Sequence, residues 1–219
     1  MCHHNGMQTA PAFKPKRGRP TVEQVAAIEQ TILTTARRMF LEDGFDNVAM
    51  EAVATEAGVS KGTLYARHPS KEALLTAVVH SSVAEWSARA AQHDHLLTDN
   101  INERLRHHAR IIASSFGSPD VQALCRLMFA TQERFPSVSA ALHDVGYLYA
   151  VGIIARDIAG LGVKDGIPAR DPDSVAYMLV SSVSGWLLQE GAARDIPAEE
   201  AQDMADRFAD LLLAARASW

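Results

Sequence analysis

The stretch VAMEAVATEAGVSKGTLYARHPSK, Val48 to Lys71, leaves the chain few ways to fold. Met50, Val53, Ala54 and Ala57 recur at helical spacing, which predicts a first helix over about residues 48–57. Gly58 follows, where positive φ costs glycine little, and marks the end of that helix. Val59 fills the corner. Ser60 is placed to cap a second helix, residues 61–67, by accepting a backbone N–H. So short a helix is unstable alone in water, and its neighbours must hold it. Leu64 turns inward, while Lys61, Gly62, Thr63, Tyr65 and Arg67 face outward as hydrogen-bond donors or as a point of close approach. A supported short helix of this kind is what a helix-turn-helix inserts into the DNA major groove.

On these residues, AGVSKGTLYARHPSKEALL resembles the DNA-binding signature of the TetR/AcrR family of one-component transcriptional regulators. The resemblance runs in register over about residues 22–80, through Phe40-Leu41-Glu42-Asp43-Gly44-Phe45 and the Ser70-Lys71-Glu72 helix start. It implies an all-α chain: a three-helix helix-turn-helix domain followed by a larger helical-bundle domain for ligand binding and dimerisation. The implied boundaries are a basic arm over 1–20, the DNA-binding domain over 21–80, and the effector and dimer domain over 81–219. By position, Thr63, Tyr65 and Lys71 bind phosphates and set register, whereas Lys61 and Gly62 face base edges. Lysine donates to guanine O6 and N7, and a bare glycine lets the helix come close. Arg67 suits either task. Two positions depart from the family habit. Val48-Ala49 stands where a capping, phosphate-binding Thr is common, so Asn47 or Asp46 is expected to cap instead. His68 stands where an aromatic residue is usual, and its ring is expected to pack.

The formal net charge of −5 by itself argues against a nucleic-acid partner. Its distribution reverses that reading. Residues 14–80 carry nine Lys/Arg against eight Asp/Glu, whereas residues 81–219 carry twelve against eighteen. A near-neutral front with Lys14, Lys16, Arg17 and Arg19 at its edge, joined to an acidic body, suits a DNA-facing end. Lys16-Arg17-Gly18-Arg19-Pro20 is similar to an AT-hook core, in which Arg17 and Arg19 enter an A·T-rich minor groove. The alternative is a basic linker drawn to phosphates alone.

No apolar run approaches the ~20 residues of a bilayer span, and MCHHNGMQTAP has no secretory pattern. Cys2 and Cys125, the only cysteines, form no disulfide framework. A cytoplasmic chain without a membrane partner is expected.

Thr21 caps a first long helix to Asp43, with Ile28, Ile32, Ala36 and Phe40 on its core face. From Ser70 the chain reads as helices over about 70–93, 99–115, 120–135, 136–160, 173–191 and 197–218. A loop is expected over 161–172, where Gly162, Gly166 and two prolines fall. In the family, the last two helices of two subunits form a four-helix interface. That role carries over to Met178, Ser182, Trp186, Met204, Phe208 and Leu212, and implies a homodimer whose two readers sit one helical turn (~34 Å) apart on a palindrome. Trp86, Phe116, Cys125, Met128, Phe129 and Tyr147 are lumpy, partly polar side chains suited to an adaptable cavity. The run Arg126 to Pro136 is similar to the effector-domain pattern of the AefR-like branch, which names no ligand.

His93-Asp94-His95 and His107-His108 read as solvated histidines and not as a metal site, because adjacent helical residues diverge by about 100°. No cofactor is implied. The functional expectation is a repressor of double-stranded operator DNA released by a small-molecule effector. Two other classes compete: an enzyme or carrier using the helix-turn-helix as scaffold, and an architectural A·T-rich DNA binder. No Gly-rich phosphate loop or nucleophile elbow supports an enzyme.

Overall fold

The computed structural model describes residues 21–93 and 98–219. The basic arm with Arg17 and Arg19, and Asp94 and His95, lie outside the described residues. Among the described residues every regular element is helical. The chain divides into two compact units, the first ending at Leu74 and the second spanning Leu75–Trp219.

In the first unit, α1 (Val22–Glu42) opens on a capping box: Gln24 N donates to Thr21 Oγ1 and Thr21 N donates to Gln24 Oε1. Its Ile32, Leu33, Ala36 and Phe40 are buried. The helix stops at Asp43 because Gly44 takes φ of 82°, a region that side-chain-bearing residues avoid. Phe45 then packs against Phe40, the rings 5.2 Å apart and tilted by 53°, and Val48 is buried with them. Helix α2 (Met50–Glu56) begins later than the periodicity suggests, with Ala49 at its N-cap and no side-chain cap. Neither Asn47 nor Asp46 caps it. Asn47 Nδ2 turns back to Asp43 O at 2.9 Å, and Asp46 O accepts from Lys71 Nζ at 3.3 Å, so both serve the loop. After Gly58 (φ 66°), Ser60 Oγ accepts from Thr63 N and starts α3 (Lys61–Arg67), whose Leu64 is wholly buried.

Helix α4 (Lys71–Ala91) begins in the first unit and continues into the second. The second unit goes on with α5 (Ile101–Phe116), α6 (Pro119–Thr131), α7 (Pro136–Leu142), α8 (Tyr149–Lys164), α9 (Pro172–Ala193) and α10 (Ala198–Ala214). Its core forms where α5, α8, α9 and α10 meet, around Leu105, Ile154, Ile158, Leu179 and Leu187. Helix α10 turns Ala201, Ala205 and Ala209 inward, one per turn, and packs chiefly on α5. Such small side chains permit close helix approach, and the ion pairs Arg106–Asp210 and Arg110–Asp206 flank the seam. Trp219 closes the core from below: its Nε1 donates to Leu212 O, and its carbonyl accepts from Arg170 N.

Three sequence-based boundaries are corrected. Helix α6 stops at Thr131 and not at Phe135, because Pro136 drives the preceding residue out of helical geometry; Phe135 has φ −131° and ψ 64°. The expected helix over 136–160 contains a π-helical turn, His143–Leu148, between α7 and α8. The expected loop starts only after Lys164, since Leu161 and Gly162 face the core. Gly162 is there for contact and not as a breaker: a Cβ on it would lie 2.9 Å from Ile167 O.

The run Pro136–Lys164 has the length and apolar content of a membrane span, more than the sequence reading allowed. It is nonetheless interrupted by the π turn, packs Val151, Ile154 and Ile158 into the helical core, and carries Asp157 on an ion pair with α5.

Candidate functional site

The outward face of α3 presents Lys61, Gly62 and Tyr65 to solvent, with Thr63 half-buried. Thr63 Oγ1 lies 2.8 Å from Ser60 Oγ, so this hydroxyl already belongs to the helix cap. Glu51 of α2 reaches across to this face: its Oε1 accepts from Tyr65 OH at 3.3 Å and stands 3.6 Å from Lys61 Nζ. A hydrogen bond from its own backbone N–H, then the Lys61 charge, hold the Glu51 carboxyl below its usual range. Desolvation, then the Glu51 charge, push the Tyr65 phenol up. A Cβ on Gly62 would meet only Ser60 Oγ, at an ordinary 3.8 Å. The fold therefore does not require glycine there.

Arg67 and Lys71 sit differently. Arg67 Nη1 donates to Glu29 Oε2 of α1 at 2.8 Å in a half-buried pair. Lys71 Nζ lies 4.4 Å above the Phe45 ring as well as on Asp46 O. In this structure Arg67 ties α3 to α1, and Lys71 ties the start of α4 to the loop before α2. His68 is buried, consistent with a packed ring, with Nε2 3.0 Å from Glu29 Oε1. Glu29 thus anchors the end of α3, a role the sequence did not disclose because the partners are 38 residues apart.

The second unit holds a partly open cavity of about 590 Å³. Trp86, Phe116, Cys125, Met128, Phe129 and Tyr147 all line it, Phe129 at an exposed edge. The π turn contributes His143, Gly146 and Tyr147. The Tyr147 ring stacks on His143 at 5.3 Å, and its hydroxyl hydrogen-bonds Ser181 of α9. Among the described residues no Lys, Arg, Asp or Glu lines the cavity.

His107 and His108 are not the solvated residues expected. Both line the cavity and are half-buried. His108 Nε2 lies 2.7 Å from Asp157 Oδ2, which Arg104 Nη1 also reaches at 3.1 Å. The hydrogen bond with His108 first, then the neighbouring charges, hold the Asp157 carboxyl below its usual range. The i,i+4 spacing of Arg104 and His108 was visible in the sequence, but Asp157 lies 49 residues beyond His108.

Burial pushes the Cys125 thiol up to about 11, with Arg126 offsetting part of the shift. Since the thiolate is the reactive form, alkylation of Cys125 at pH 8 is expected to run about a hundredfold slower in the native chain than in denaturant. Peptide mass spectrometry after timed iodoacetamide treatment measures this. Equal rates would mean that solvent reaches the cavity wall freely.

The residues carried over as a dimer interface occupy one side of α9 and α10. Met178 is 49% exposed; Ser182, Trp186, Met204, Phe208 and Leu212 are half-buried. Leu211, on the same helix as Leu212, is 69% exposed. No cluster of metal-ligating residues occurs among the described residues.

Residues 32–78 match the profile of the bacterial regulatory proteins of the tetR family. The chain carries a TetR-family helix-turn-helix domain. Over 48 residues it is 44% identical to the HTH-type transcriptional regulator UidR of Escherichia coli strain K12, a match spanning 22% of this chain and 24% of UidR. The likeness of fold extends further. A TetR-family regulator from Mesorhizobium loti superposes with a TM-score of 0.77 at 24% identity, covering 87% of this chain and 96% of that one. The flavonoid-responsive regulator FrrA does so at 0.69 and 26% identity, covering 87% and 97%. A TetR-like fold, a helix-turn-helix domain followed by a helical second domain, is therefore shared along nearly the whole chain.

Proposed function

We propose that this chain is a ligand-responsive transcriptional regulator: a homodimeric repressor that binds a palindromic operator and is released by a small, predominantly apolar effector. The observation that carries this reading is one chain holding both an exposed reader helix and an aromatic-lined cavity. UidR supports the DNA-binding half, and FrrA, described as flavonoid-responsive, supports the effector half. In this reading the chain acts by binding and not by catalysis, like the regulators it resembles.

Regulation then requires that the effector bind one conformation better than the other. Helix α4 is the proposed lever, because it belongs to both units. Coupling is reciprocal: operator weakens effector binding by the factor with which effector weakens operator binding.

Side-chain roles at the reader are separable by titrating operator variants. Lys61→Ala is expected to flatten the preference among bases at one position, about 1–3 kcal/mol of discrimination. Lys71→Ala is expected to weaken all duplexes alike and to lower the salt slope by about one. Gly62→Ala is the sharper test. The fold has room for the methyl group, and alanine favours helix, so thermal stability should not fall. Operator affinity nevertheless should drop at least tenfold if the backbone at Gly62 approaches the bases. Unchanged operator affinity in Gly62→Ala would remove this face of α3 from the groove.

A further inference from the structure

We infer that the cavity of the second unit selects an uncharged aromatic ligand bearing a hydroxyl group, and that His108 is the residue that reads the hydroxyl. This rests on the cavity being the effector site.

The absence of Lys, Arg, Asp and Glu from the lining, among the described residues, bears first on ligand charge. Within this lining an ionised ligand would find no fixed counter-charge, Arg89 lying on the smaller adjoining pocket that shares Trp86, Ala90 and Ile111, and so it would leave water at a cost that a neutral ligand avoids. Trp86, Phe116 and Tyr147 offer ring faces and edges, which favour a flat aromatic body in offset or edge-on contact.

His108 decides the polar group. Asp157, ionised and held by Arg104, accepts from Nε2 and so fixes that nitrogen as the donor. A neutral imidazole has one donor and one acceptor, which leaves Nδ1 as an acceptor. Nε2 is thus engaged by Asp157, and His108 lines the cavity, where Nδ1 is the ring nitrogen left for a ligand. A hydroxyl hydrogen completes it. Ser139 points the same way: it lines the cavity, and its buried Oγ has no hydrogen-bond partner among the described residues. An aromatic hydroxyl carries both a donor and acceptor lone pairs, so a ligand with such groups can satisfy both residues. A plain hydrocarbon leaves both unmet.

The test uses the full chain and four probes of one shape: biphenyl, 4-hydroxybiphenyl, biphenyl-4-carboxylate and 4-(aminomethyl)biphenyl as its ammonium ion. Affinities come from calorimetry or tryptophan fluorescence. The hydroxy compound is expected to bind at least tenfold more tightly than biphenyl and than either ion. His108→Phe should erase that preference while leaving biphenyl affinity within a factor of three. His108→Gln keeps a donor where Nε2 stood, preserving the bond to Asp157, and places no atom at Nδ1. It should erase the preference as well, and it serves if His108→Phe does not fold. Tighter binding of biphenyl or of an ion overturns the ligand class, as does a hydroxyl preference that survives both variants. Either result leaves the cavity as the effector site. No binding of any probe to the wild-type chain overturns the reading of the cavity itself.

Discussion

Leu64→Ala is expected to unfold the DNA-binding unit and abolish operator binding while the second unit stays folded. Leu64 is the single wholly buried side chain of α3, a helix of seven residues. Such a helix has no stability of its own, so its attachment is the burial of Leu64, with the Arg67–Glu29 pair to α1 at its end. Truncating a buried leucine to alanine typically costs about 2–5 kcal/mol, through lost transfer energy and the cavity left behind. For a unit this small, that is most of its stability. The readout is clean because Trp86, Trp186 and Trp219 all lie in the second unit. Urea titration followed by tryptophan fluorescence should be little changed, whereas far-UV circular dichroism should show early loss of part of the helix signal. Wild-type operator affinity in Leu64→Ala would mean that α3 is held by something other than its core contact.

Met178→Arg combined with Leu211→Arg is expected to convert the proposed dimer into a monomer of 23.8 kDa and to lower operator affinity by at least ~100-fold, as linkage of two half-site readers is lost. Both side chains are largely exposed in the single chain, so the substitutions do not touch its own core. A surface apolar pair gains nothing in water, whereas between two copies it removes area worth about 25 cal/mol per Å². Four buried guanidinium groups across a two-fold would each need a counter-charge, which sets a large cost against association. Analytical ultracentrifugation gives the mass, and circular dichroism checks that each chain remains helical. A double variant that still sediments at twice the chain mass would place the dimer contact elsewhere.

The first unit was legible because its determinants are local. The Thr21 cap, the Ser60 cap, the glycines at 44 and 58 and the inward Leu64 all act within a few residues of themselves. What stayed hidden there was relational: Glu51 beneath Lys61 and Tyr65, and Glu29 under Arg67, each join two helices across the sequence. Sequence position also could not reveal that Asn47 bonds back to α1, which leaves α2 without a side-chain cap.

The second unit reads less completely. The residue types that line its cavity announced themselves as bulky and partly polar, but its polar wall depends on His108 meeting Asp157 from another helix. The π turn at His143–Leu148 has no repeat or punctuation to mark it, because the residues of α7 and α8 on either side are ordinary helix formers. Helix α10 carries a different lesson. Its inward stripe is alanine, and the larger Met204, Phe208 and Leu212 flank it, because close approach to α5 leaves no room for long side chains. A reading that ranks burial by hydrophobicity alone would have reversed them.

The most direct test of the central claim is selection of duplexes from a random pool by the purified full chain at near-physiological salt. The proposed regulator predicts a recovered palindrome whose half-site centres lie about 10 base pairs or a multiple apart. Recovery of A·T-rich duplexes without symmetry, or no enrichment by ligand-free protein, would contradict it.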